Sequence, residues 1–416
     1  MRTGSIAALA VVTVLAAASP ASAHAGGQAA RSCRLTWTLV STPHIPGSQG
    51  PDSGASAQID SVSILPGGDP WFSAEVDGPS LQPWVLRWDE GAIRTAKQIP
   101  QSTLDLQGGG PGSFGSATDG WVLAANEGAA PSGMGGQGDD LEPPYAEHWY
   151  DGRWTMTPLA VPPNPRNTGT QLLDVATTSA TDAWAVGLFY EAKPGVTAGS
   201  VPTGALIEHW DGTSWHIVAN PDSARADGQL NALTLVSRTD IWAVGRVRNS
   251  GGMIVPLVLH WDGRSWRSIP APAASAPSAF NAISAAGGSD VWAVGAQTKP
   301  GTGNVAIPLA EHWDGRSWIV ARLPGVGNAV LWGVYAVSST DVWATVEETS
   351  GKPAIFLHES GRSWQAVPAP GHQEYGLYYA YTGIDGTGPG DIWAVGSVTS
   401  QSTGESNPVV AHLSCG

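Results

Sequence analysis

The apolar residues of this chain fall into short runs rich in Val, Ile, Leu and Trp, each stopped by Gly, Asp, Pro or Ser. Beyond the N-terminal segment no stretch keeps the rhythm of about 3.6 residues that marks an amphipathic helix, so the pattern predicts strands joined by tight turns. The stretch from Leu230 to Pro272 shows the full unit: LNALTLVS, then DIWAVG, a variable loop, PLVLHWDG and RSWRSIPAP. We read these four segments as strands a, b, c and d of one antiparallel sheet.

The unit repeats along the chain. The triplet Asp-x-Trp ends at Trp71, Trp121, Trp184, Trp242, Trp292, Trp343 and Trp393, at spacings of 50 to 63 residues. Such a period belongs to propeller blades rather than to separate domains. The c–d hairpin recurs as HWDGTSW at His209–Trp215 and as HWDGRSW at His260–Trp266 and His312–Trp318. Its Asp-Gly pair accepts the positive φ angles of a tight turn. The prediction is an all-β protein, a seven-bladed β-propeller of four-stranded antiparallel blades. The seventh unit, from Gly376, stops after strand c, and the segment from Thr36 to Pro43 has the character of the missing strand d. The N-terminal strand is therefore expected to complete the last blade and close the ring.

Charge and the N-terminus narrow the setting. Arg2, the apolar run from Ile6 to Ala18 and Ala21-Ser22-Ala23 form the three parts of a secretory signal peptide, with cleavage expected after Ala23. Residues 24–32 are expected to be a flexible segment and 33–416 the propeller, released from the cell as a soluble monomer. A net charge of −15 repels nucleic-acid phosphates and anionic membranes, so neither is expected as a partner. Cys33 and Cys415 stand just before the N-terminal strand and just after the last strand c. In a secreted protein they are expected to be oxidised to a disulfide that locks the ring.

The repeat absorbs most of the candidate chemistry. Of 20 tryptophans, only Trp84 and Trp332 fall outside the repeated positions, and the other eighteen are expected to fill the wedges between blades. His148, His209, His260, His312, His358 and His412 recur at one hairpin position on six blades. They cannot converge on one metal, and a side-chain-to-backbone hydrogen bond is expected for each. The acidic loop Asp139-Asp140-Leu141-Glu142 lacks the regular alternation of a calcium loop and is read as solvated.

The order DIWAVG, HWDG, SW and PAP resembles the Kelch repeat and the Trp-rich propeller repeats of secreted bacterial proteins, over nearly all of the chain. The resemblance implies the fold. It departs from Kelch where the second of two paired glycines is replaced by Leu188, Arg246, Ala296 or Ser397. An oxidase of the galactose-oxidase kind would need a cysteine crosslinked to a tyrosine, and both cysteines are already assigned.

Strand connections place the ligand face. The b–c and d–a connections share one side of a propeller, and the long insertions 126–144 and 190–204 are both b–c loops. Trp332, Tyr375, Tyr378 and Tyr379 cluster toward that face, and Asp60, Asn231 and Asn281 take the place of Trp332 in other blades. These residues point to a non-catalytic propeller that binds an extracellular glycan or protein, without cofactor or metal. The alternative is a polysaccharide-acting enzyme, a glycoside hydrolase or lyase, using carboxylates at the channel mouth such as Asp60, Asp385 or Glu374.

Overall fold

The structure, a computed structural model, describes residues 34–43, 45, 56–65, 68–77, 82–99, 109–124, 145–160, 168–191, 201–223, 225, 227–272, 276–302, 305–348, 353–361, 363–371 and 376–415. Cys33, Glu374, Tyr375, the acidic loop and most of both long insertions lie outside the described residues. Leu35–Gly416 forms one compact unit.

That unit is a seven-bladed propeller. Seven separate four-stranded sheets follow one another, each in the order a-b-c-d and antiparallel throughout. In blade four the strands are Gln229–Ser237, Asp240–Arg248, Ile254–Trp261 and Trp266–Ser268. The first strands of the seven blades, beginning at Ser56, Gly109, Thr168, Gln229, Ser278, Ala329 and Leu377, touch one another in sequence, and the last touches the first. Strand a is therefore innermost and the ring is closed. Closure takes the predicted form: Leu35–Val40 pairs with Ser406–Cys415, from Leu35 opposite Cys415 to Val40 opposite Val410.

The core is a set of wedges between blades rather than one centre. Trp184, Val186 and Ile207 of blade three pack on Leu230, Ile241 and Leu259 of blade four. Indoles fill the outer part of each wedge, as the repeat predicts. In blades four, five and six the tryptophan that opens strand d meets, edge-on, the Asp-x-Trp indole of the preceding blade: Trp266 on Trp184 at 5.7 Å, Trp318 on Trp242 at 5.8 Å and Trp364 on Trp292 at 5.4 Å. Trp37 of the N-terminal strand does the same to Trp343 at 5.5 Å, so the borrowed strand packs like any other. Trp84, outside the repeat, is also buried, in the wedge between blades seven and one.

The recurrent histidines differ from expectation. Each Nε2 meets a side chain, the Asp of Asp-x-Trp, rather than the backbone: His148 with Asp119, His209 with Asp182, His260 with Asp240, His312 with Asp290, His358 with Asp341 and His412 with Asp391, all at 2.7–2.9 Å. The reason is register. Strands b and c set each histidine directly opposite the tryptophan two residues after that aspartate, so the imidazole stacks on the indole and reaches back to the carboxylate.

Candidate functional site

Strand a of every blade carries one extra residue opposite strand b, a β-bulge that re-aims a side chain. The bulge falls at Asp60 in blade one, Leu173 in three, Asn231 in four, Asn281 in five and Thr382 in seven. In blade six it spans Trp332 and Gly333. The equivalence of Asp60, Asn231, Asn281 and Trp332 is thus a property of the fold. In blade four the strand-b residue at the bulge must be glycine, because a Cβ on Gly245 would lie 2.0 Å from the Gln229 carbonyl. Blade six has Val346 at that place, and the glycine moves to the other strand as Gly333, whose N–H donates to Thr345 Oγ1 at 2.8 Å.

Most polar groups on these inner strands join the blades. Asn231 Nδ2 donates to the Phe280 carbonyl at 2.6 Å and Asn281 Nδ2 to the Leu331 carbonyl at 2.9 Å, each tying its blade to the next. Asp174 accepts the Leu233 N–H at 2.9 Å. Asp385 accepts the N–H groups of Ile64, at 3.0 Å, and Gly386, at 2.8 Å. Burial raises the Asp385 carboxyl to about 6 in spite of those two bonds. Asn231, Asn281 and Asp385 are therefore seam clamps, and Asp385 is no free catalytic carboxylate. Tyr379 is buried between blades six and seven, beneath Gly371, where a Cβ would lie 2.4 Å from its ring.

The seam between blades six and seven is different. Trp332 is 39% exposed, and it is the one exposed indole among the described residues. Its Nε1–H donates to Glu347 Oε2. Tyr378, from blade seven, donates its hydroxyl to Glu347 Oε1 and to the Glu348 carbonyl, both at 3.3 Å. Burial, followed by the neighbouring Glu347 charge, pushes the Tyr378 hydroxyl up to about 12, so it remains a donor. Two residues singled out from the sequence thus converge on a third, Glu347, that the sequence reading missed.

Glu347 is one of a set. It follows the Asp-x-Trp tryptophan by four places, where other blades hold Glu75, Leu188, Arg246, Ala296 and Ser397. In blade one Gln58 Nε2 bridges Glu75 Oε1, at 2.7 Å, and Asp60 Oδ1, at 2.9 Å. Burial and the nearby Glu75 hold the Asp60 carboxyl well above the usual carboxylate range. In blade four Arg246 donates to Gln229 Oε1 at 2.9 Å, and Gln229 Nε2 donates to Asn231 Oδ1 at 2.5 Å. Variation at the place just after DxWAVG, a segment that blades three, four, five and seven share, was the available signal. Among the described residues no three His, Cys, Asp or Glu side chains group as metal ligands.

No family model and no curated protein matches the chain. Solved structures do. YCF48 bound to D1 peptide aligns with a TM-score of 0.53 at 13% identity, covering 91% of this chain and 94% of that one. YCF48 from Cyanidioschyzon merolae gives 0.51 at 13% identity, covering 91% and 98%. A chain of the mitotic checkpoint complex gives 0.51 at 10% identity, covering 96% and 98%. At such identities the likeness is one of fold, and it agrees with the strand order: this chain is a seven-bladed β-propeller.

Proposed function

We propose that this chain is a secreted, non-catalytic propeller that holds an extracellular protein or glycan on its d–a and b–c face. The observation that carries the reading is Trp332. Eighteen indoles are committed to the repeat and Trp84 to a wedge, whereas Trp332 is turned outward by a bulge and oriented by a carboxylate. An exposed, oriented aromatic beside polar groups is what a binding surface needs. The structural neighbours lend support, since YCF48 is seen with a peptide and another neighbour is part of a multiprotein complex. Glycan and peptide arrays probed with the protein and with Trp332→Ala test this. The expected result is a defined set of ligands lost in the variant, and an unchanged profile would overturn the site.

One observation favours a second reading, a polysaccharide-acting enzyme: Asp60 and Glu75 share one amide donor, and Asp60 is held toward its protonated form. A carboxylic acid beside a carboxylate is the pair that glycoside hydrolysis uses. Release of reducing ends from extracellular polysaccharides, abolished by Asp60→Asn, would establish it. We expect no release.

A further inference from the structure

The bulges of blades six, seven and one lie side by side. A Cβ on Gly333 would be 2.8 Å from the Thr382 carbonyl, and one on Gly383 would be 3.5 Å from the Asp60 carbonyl. Blade seven therefore separates two acidic clusters, Glu347 with its indole and phenol on one side and Asp60 with Glu75 on the other. At the matching positions blade seven itself has only Ala380, Thr382 and Ser397. These short side chains, set between longer and acidic ones, define a candidate notch in the rim of the channel.

The chemistry of those walls selects an occupant. Asp60 Oδ2 is buried and has no hydrogen-bond partner among the described residues. A buried carboxyl oxygen without a partner is unfavourable, and a cationic donor beside it would satisfy it and offset the burial and the Glu75 charge that hold Asp60 toward its protonated form. Glu347 is held by Trp332 and Tyr378, each of which uses one lone pair of a different oxygen, so both oxygens can accept again. The exposed indole offers its π-face beside that carboxylate, an arrangement that attracts cations. Arg246, which would compensate such charge, stands on blade four and is engaged with Gln229. A neutral sugar supplies donors but leaves the charge uncompensated, and an anionic one is repelled.

We infer that this notch seats a guanidinium or ammonium group, the side chain of an arginine or lysine on a partner protein, between Glu347 and the Asp60–Glu75 pair with Trp332 as one wall. The inference rests on the binding face proposed above and names its ligand. It is tested by following the indole N–H resonances of the 15N-labelled protein, with the Trp332 signal assigned from Trp332→Phe, during titration with N-acetyl-arginine amide, the isosteric N-acetyl-citrulline amide and chitotetraose. The expected result is a saturable shift of the Trp332 signal with the arginine compound and binding of the citrulline compound at least about tenfold weaker, as charge-assisted bonds require. Glu347→Gln and Asp60→Asn should each weaken the arginine compound by about fivefold or more while the other indole signals keep their positions. Equal binding of citrulline, or no movement of Trp332 with arginine, overturns the inference. Movement with chitotetraose alone overturns it and leaves the binding face standing as a glycan site. Failure with all three compounds, together with blank glycan and peptide arrays, overturns the binding face as well.

Discussion

The imidazole of His148 lies flat on the indole of Trp121, with ring centroids 3.9 Å apart and planes 5° from parallel, while its Nε2 meets Asp119 Oδ1 at 2.9 Å. Five other blades repeat the arrangement, which ties strand c to the turn before strand b at the outer end of each wedge. His148→Ala is expected to destabilise the protein by about 1–3 kcal/mol, because it strands a buried carboxylate. His260→Ala should cost less, since its pair is more open, with side chains 26% and 28% exposed against 10% and 9% for His148 and Asp119. Urea unfolding of both variants checks the order.

Position within the wedge decides what a tryptophan is worth. Trp266→Ala should lose about 3–5 kcal/mol, and Trp37→Ala less, because Trp37 is only partly buried in its wedge whereas Trp266 is 4% exposed. Trp332→Ala should stay within about 0.5 kcal/mol of the parent, as expected for an exposed side chain. Thermal unfolding of the three variants separates a packing role from a surface one. A Trp37→Ala protein of parental stability would mean that the borrowed strand does not close the ring.

Buried carboxyls give stability an unusual pH dependence. Burial raises Asp174 and Glu311 to about 7 and Glu208 to about 8. The native state therefore binds protons that the unfolded chain has released, and the stability these groups contribute, full below about pH 4, drains away as the pH climbs to about 8. The turn residues Asp262 and Asp314 act in the opposite sense. The N–H groups of Ser265 and Arg264, and of Ser317 and Arg316, hold them below the usual range, so their contribution fades as the pH falls below about 4. Melting temperature should peak near about pH 5. Leu259 stands in blade four where blade five has Glu311, so Glu311→Leu is expected to raise stability at pH 8 and to do so less at pH 5. Calorimetry across that range would contradict the assignment if the variant and parent curves ran parallel.

The proposed bridge between Cys33 and Cys415 has a direct chemical test. Thiol titration of the protein, denatured without reductant, should find no free thiol if it is secreted as proposed. Cys415→Ser should then lower stability by about 4 kcal/mol, the loop-entropy figure for tethering nearly the whole chain. Two titratable thiols in the parent would defeat the proposal.

The blade count, the strand order and the borrowed strand were legible in the sequence because each rests on local, repeated chemistry. Asp-x-Trp recurs at blade spacing, Asp-Gly marks the hairpins, and the last unit visibly lacks its fourth strand. The site was only partly legible. Trp332 stood out as an indole with no place in the repeat, but the role of Tyr379 depends on which face of its strand is buried, and nothing local to the sequence says so. Asp385, Asn231 and Asn281 read as channel-mouth groups, yet each spends its side chain on the backbone of a neighbouring blade about 50 or more residues away in the period of the repeat.

By itself the sequence determined the ring, since strands with this period have no other way to bury their indoles than against the next copy of themselves. Only the tertiary structure decided which polar groups remain available. Bulges turn particular side chains toward the channel, and seams between blades consume some of them while leaving Glu347, Trp332 and Asp60 at the rim. Those outcomes arise from contacts between blades, where the energy of a side chain depends on a partner that the repeat places beside it only after the ring has closed.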